Sequence, residues 1–243
     1  MDGDFGVTVK ETLTEQCGWE IRKMIREKKQ SIEQSERRYQ DVQNNQAFQQ
    51  MLQPARERIC RHVPEEIAQK SGAVFHKEES FFELQSLGQT LKITFPECVF
   101  EPQIDYWQQL VILHYLDLSD GTDVSPEMIS FGELKDGLIR GTKFDRDKAR
   151  ELQIFLTGKT REQLCEICKG LGAQFIEDRA DLCAVFSFLP HYPIWLKIWF
   201  ADEEFEASGK ILLSKSAGHY LTIEDAVTVG EIFMSRLKGY TFS

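Results

Sequence analysis

The chain has 243 residues, with 39 acidic against 29 basic side chains, a formal net charge of -10 and 42% hydrophobic residues. That length buries a core without metal or disulfide staples. The summed negative field repels phosphate backbones and anionic lipid surfaces, so neither nucleic acid nor a membrane is expected as a partner.

The first residues, Met1-Asp-Gly-Asp-Phe5, lack the basic start and apolar stretch of a signal peptide, and no run nears the ~18 apolar residues of a spanning helix. A cytoplasmic protein is expected. Residues 1–52 are rich in Gln, Glu, Arg and Lys and read as a helical arm. Ile25, Ile32 and Tyr39 fall on a seven-residue repeat, but Lys28, Ser35 and Val42 make a poor companion seam. The arm is therefore a solvated helix docked on the body, or, through residues 17–52, a protein-binding or dimerising element.

An α+β body follows over residues 53–243. Ala55 to Val63 is helical, Pro64 opens a short helix and Gly72 closes it. Three short strands are predicted next: Ala73 to Phe75, Ser80 to Leu84 and Thr90 to Phe95, the last stopped by Pro96. Asp105 to Leu118 has helical periodicity, with Trp107, Leu110, Val111, Leu113, His114 and Leu118 on its buried and boundary faces. Ser119 to Lys143 reads as a loop-rich connector, and Phe144 to Leu156 as a helix ended by Gly158. Thr160 and Gln163 form a capping box for Arg161 to Lys169.

Beyond that helix, Leu182 to Leu189, Ile194 to Phe200 and Gly209 to Leu213 predict an antiparallel meander. Thr222, with Asp225 three residues on, caps a last helix that Gly239 terminates. Gly172-Ala-Gln-Phe175 repeats Gly72-Ala-Val-Phe75 at an interval of 100 residues, each behind a short helix and ahead of strands. The expected architecture is antiparallel sheets with packed helices, built from a duplicated α-β-β-β-α unit with copies at about 53–120 and 145–243.

Chemistry-bearing residues are sparse. Cys165-Glu-Ile-Cys168 has redox or metal spacing but lies inside a capped helix, which favours structural thiols. The six cysteines, at 17, 60, 98, 165, 168 and 183, are expected reduced. Asp202, Glu203, Glu204 and Glu206 crowd one turn, which suits either solvent or a hard cation. His219, Tyr220 and Thr222 stand at the entry of the last helix, where orphan N–H groups attract an anion. The strand from Ala207 to Leu213 separates His219 from the acidic turn by roughly 20 Å, so one shared metal site is not expected. No Walker A, GxGxxG, GxSxG or HExxH motif is present.

Several of these residues together carry a family likeness. Trp199-x-x-Asp202-Glu203-Glu204-Phe205, Ile211-Leu212, and Ser216-Ala217-x-His219-Tyr220-Leu221-x-x-Glu224-Asp225 resemble the closing signature of the prokaryotic family called domain of unknown function 3786. Leu113-His114-Tyr115-Leu116, Gly121-Thr122 and Ile129-Ser130-Phe131-x-Glu133-Leu134 also fit it. Two positions depart: Phe200-Ala201 replaces Glu-Gly, and Gly132 replaces an arginine. The resemblance spans roughly residues 55–240 and implies a protein of anaerobes. Some similar proteins are fused behind a four-cysteine iron-sulfur segment of the kind found in corrinoid proteins, which implies cofactor handling. With Cys17 alone in its N-terminal region, this chain does not build that cluster there.

These readings converge on a non-catalytic ligand- or cofactor-binding accessory protein. Its ligand, of unspecified identity, is expected near His219, Tyr220 and Thr222, with Asp202, Glu203 and Glu204 as a further candidate set. Two alternatives stand beside it: a metal-dependent enzyme using the acidic turn, and an interaction module using the arm.

Overall fold

Alternating apolar and polar side chains along two stretches of the chain create two sheets, and the helices cover them. The computed structural model describes residues 46–239. The arm's remaining positions, and with them the heptad reading of Ile25, Ile32 and Tyr39, lie outside the described residues.

Helix α1 (Gln46–Ile59) precedes α2 (Pro64–Ser71), where Pro64 sits in the first turn and Gly72 ends the helix in the left-handed region at φ 72. The first sheet is an antiparallel ladder of β1 (Val74–His76), β2 (Phe81–Ser86), β3 (Gln89–Thr94) and β4 (Phe100–Glu101), in that order. Phe82, Leu84, Leu91 and Ile93 point to its core face, the period-2 pattern of a half-buried sheet. The sequence predicted three strands here. The fourth holds two residues, too short for alternation to register.

Helix α3 (Tyr106–Leu118) begins at Asp105, whose carboxylate accepts from Gln108 N at 2.9 Å. The predicted connector is more structured than expected. Strand β5 (Met128–Ile129) pairs with the last strand, a 3-10 turn spans Phe131–Glu133, and α4 (Gly137–Leu156) starts well ahead of Phe144. The physical reason is close approach. A Cβ on Gly137 or Gly141 would collide with the Phe131 carbonyl oxygen, so glycines that look like helix breakers are what let α4 pass the turn.

Helix α5 (Arg161–Gly170) carries the predicted Thr160–Gln163 capping box. The second sheet runs β5-β9-β8-β7-β6, from β6 (Gln174–Phe175), β7 (Leu182–Leu189), β8 (Tyr192–Trp199) and β9 (Ser208–Ser214). The predicted meander is its centre. Pro193, which donates no hydrogen bond, falls opposite Ser187 where β7 slips register toward Leu189. After a 3-10 turn at Lys215–His219, α6 (Ile223–Leu237) opens on the Thr222–Asp225 capping box.

The sheets meet through β2 and β7, and Leu87 N donates to Ser187 O at 2.9 Å. Contacts at the two glycine corners are reciprocal. Gly72 lies against Pro190 and His191 of the β7–β8 turn, and Gly172 lies against Gly88 of the β2–β3 turn. Helices α3 and α6 pack together. The class is α+β, with antiparallel sheets and packed helices. No described helix is long and apolar enough to cross a membrane.

Candidate functional site

Helix α3 is apolar on nearly every face, so most of it is sealed in the core: Ile112, Leu113, Tyr115 and Leu116 are at most 2% exposed. Its one open side carries Trp107 and His114, seven residues and two turns apart, with Leu110 and Val111 between them. Across from this stripe, α6 presents Asp225, Val227, Thr228 and Ile232, and Met51 of α1 and Arg140 of α4 stand at the margins. Together they line a groove of about 610 Å³, within the size range of ligand pockets.

One polar pair is built into the groove. His114 Nδ1 lies 2.7 Å from Asp225 Oδ1, and the two side chains are only 24% and 10% exposed. The other oxygen of Asp225 accepts from the Thr222 hydroxyl at 2.7 Å, and Thr222 Oγ1 accepts in turn from Asp225 N. Burial pushes the Asp225 carboxyl up, but the bonds from His114 and Thr222 outweigh it and hold it below the usual carboxylate range. The ionised carboxylate thus accepts from Nδ1–H, which in the neutral ring leaves the lone pair on Nε2. Nε2 has no hydrogen-bond partner among the described residues.

Beneath the pair, the Tyr192 hydroxyl is buried and unpartnered among the described residues. Burial, and then the charge of Asp225, keep it protonated. At the rim, Arg140 Nε pairs with Glu224 Oε2 at 2.8 Å and Lys148 Nζ with Glu231 Oε2 at 2.5 Å. The groove therefore offers a flat indole, aliphatic walls and one imidazole whose direction is fixed by a carboxylate.

The residues singled out from sequence lie elsewhere. His219 ends the 3-10 turn and binds Asp120 Oδ2 at 2.7 Å and Thr122 Oγ1 at 3.2 Å. The bond with His219 first, and then the bonds that the Thr122 side chain and backbone N–H give to Asp120, hold the Asp120 carboxyl down at about 2. Tyr220 is fully buried, its hydroxyl donates to Thr122 O, and its ring lies 5.7 Å from Tyr115 and 5.6 Å from His191. A hollow of about 360 Å³ beside them is lined by Lys135, Asp136, His219 and Thr222. The Thr222 hydroxyl, read as a ligand contact, is engaged in its own capping box.

The acidic turn stands at the opposite end of β9 from His219. Asp202 Oδ1 accepts from the backbone of Glu204 at 2.8 Å and of Phe205 at 2.7 Å, which lowers the Asp202 carboxyl. Asp202, Glu203 and Glu204 are exposed and do not converge: no group of three His, Cys, Asp or Glu able to hold a metal exists among the described residues. Asp202 is spent on its own backbone, and solvent takes the rest. Cys168 is buried inside α5, and burial pushes its thiol up to about 12, as expected of a structural cysteine.

Sequence reasoning missed the His114–Asp225 pair, although both halves were visible in Leu113-His114-Tyr115 and Glu224-Asp225. The partners are 111 residues apart, and local spacing says nothing about such a meeting. No curated protein and no solved structure matches the chain. The family model described as Domain of unknown function (DUF3786) matches residues 63–236, a span that holds α3, α6 and the pair between them, and the chain belongs to that family.

Proposed function

We propose that the protein is a non-catalytic ligand- or cofactor-binding protein whose ligand lies in the α3–α6 groove, beside Trp107 and reaching His114 Nε2. The observation that carries this reading is the Asp225-held imidazole: a partly buried ring, fixed at one nitrogen and open at the other, lining a mostly apolar groove. Nε2 lies on a side chain that is still 24% exposed, so it is open to the groove and free of a protein partner among the described residues.

This moves the ligand from the His219 hollow to the other side of the same helix entry. Tyr220 is buried with its hydroxyl donating to Thr122 O, and His219, held at Nδ1 by Asp120 as His114 is by Asp225, is about half exposed where His114 is 24% exposed. The cofactor handling implied by the family resemblance is compatible with part of this geometry. An imidazole whose far nitrogen rests on a carboxylate is the form that ligates a metal at the centre of a planar cofactor, such as a corrinoid. An iron-sulfur cluster does not fit the described residues, which gather no set of three ligands.

Native mass spectrometry of protein prepared without oxygen tests the reading. The wild type should carry a non-covalent small molecule that His114→Ala and Trp107→Ala lose and His219→Ala retains. Bare wild-type protein, or a ligand retained by both groove variants, contradicts it.

A further inference from the structure

Cys60 and Cys98 lie 38 residues apart in sequence, yet their thiols meet over one atom. Cys60 Sγ and Cys98 Sγ each donate to the Pro96 carbonyl oxygen at 3.5 Å. The two sulfurs are therefore no farther apart than twice that distance. Cys60 sits just past the last residue of α1, in a turn whose N–H returns to Arg56 O, and is exposed. Cys98 lies in the turn between β3 and β4, is 2% exposed, and has φ 54. Cys98 N donates to Thr94 O and Val99 N to Thr94 Oγ1, so its backbone is tied in place.

One thiol is thus open to a reagent, and the second is held close behind it, the arrangement of an attacking and a resolving cysteine. Arg56, one turn before Cys60 on α1, bears electrostatically on the same spot: it pulls the Cys98 thiol down, although burial dominates and leaves it pushed up to about 11. A thiol so raised is inert until the other sulfur is activated.

We propose that Cys60 and Cys98 form a reversible disulfide by exchange with a low-molecular-weight disulfide such as oxidised glutathione. The Cys60 thiolate attacks one sulfur of the reagent, breaking its S–S bond, forming a mixed disulfide and releasing one thiolate. Cys98, giving up its proton to solvent, then attacks the Cys60 sulfur and expels the second thiolate. The protein loses two protons and two electrons, and the reagent becomes two thiols. Bond formation draws the two sulfurs from their shared oxygen toward each other, to the ~2.05 Å of an S–S bond. The product ties the end of α1, the helix that brings Met51 to the groove, to the first sheet.

The test treats the full reduced chain with oxidised glutathione and maps the products by peptide mass spectrometry. The expected result is a Cys60–Cys98 linked peptide, a mass lower by two hydrogens, and full reversal by dithiothreitol. Closing a loop of this length should raise the unfolding midpoint on the order of 5–10 °C. The surface variant Cys60→Ser should lose the link and the thermal shift while keeping the reduced protein's midpoint, so a folding defect in Cys98→Ser would not obscure the result. A stable glutathione adduct at Cys60 without a second step, or a link through Cys17, Cys165 or Cys168 instead, would overturn the proposal.

Discussion

At the scale of single residues, the account turns on the bond between His114 and Asp225. Because the folded Asp225 carboxyl titrates below its unfolded value of ~3.9, the pair contributes stability that is fully present above that pH and is lost as pH falls through the folded value. Asp225→Asn should therefore cost about 1–3 kcal/mol at neutral pH and flatten the loss of stability below about pH 4. Urea titrations at pH 3, 4 and 7 measure both. A variant as acid-sensitive as the wild type would show that the carboxylate is not the titrating group. Asp225 was legible in the sequence only as the third residue of a capping box. That it serves the cap with one oxygen and His114 with the other follows from tertiary packing, which no local pattern encodes.

At the scale of elements, strands and caps were readable where the chain alternates or where one residue type has one task. Leu182 to Leu189 was bounded by Pro190, and Thr160, Thr222 and Gly72 marked helix ends by side-chain chemistry or backbone freedom. The start of α4 was not readable. Gly137 and Gly141 weaken a helix in isolation by roughly 1 kcal/mol each, and only the Phe131 carbonyl pressed against them explains their use. Gly141→Ala, favourable by propensity, should instead destabilise by about 1–3 kcal/mol because backbone must move, whereas Gly218→Ala, with open space around it, should change little. Chemical denaturation of the two variants checks this. Equal effects would mean that α4 does not press on the turn. The two-residue strands β4, β5 and β6 escape any periodicity argument, being held by their partners alone.

At the scale of the molecule, the two glycines of the tetrapeptide echo fall where the two sheets touch, but the sheets differ, with four strands against five, and do not establish a duplicated unit. Each Gly-Ala-x-Phe glycine lies in the left-handed region and abuts the hairpin turn of the other sheet, and β2 meets β7 as α3 meets α6. The packing of α3 on α6 is what puts His114 beside Asp225. The sequence pointed to the entry of α6 as the ligand's neighbourhood, but it offered no means of seeing that α3 would bring His114 to that entry. The most direct measurement is a nuclear magnetic resonance titration with 8-anilinonaphthalene-1-sulfonate, an aromatic anion, following the histidine ring nitrogens and tryptophan indole signals. Saturable shifts of His114 and Trp107, with His219 unmoved, are expected. Shifts centred on His219 with Trp107 silent, or no saturation at all, would contradict the groove as the binding site.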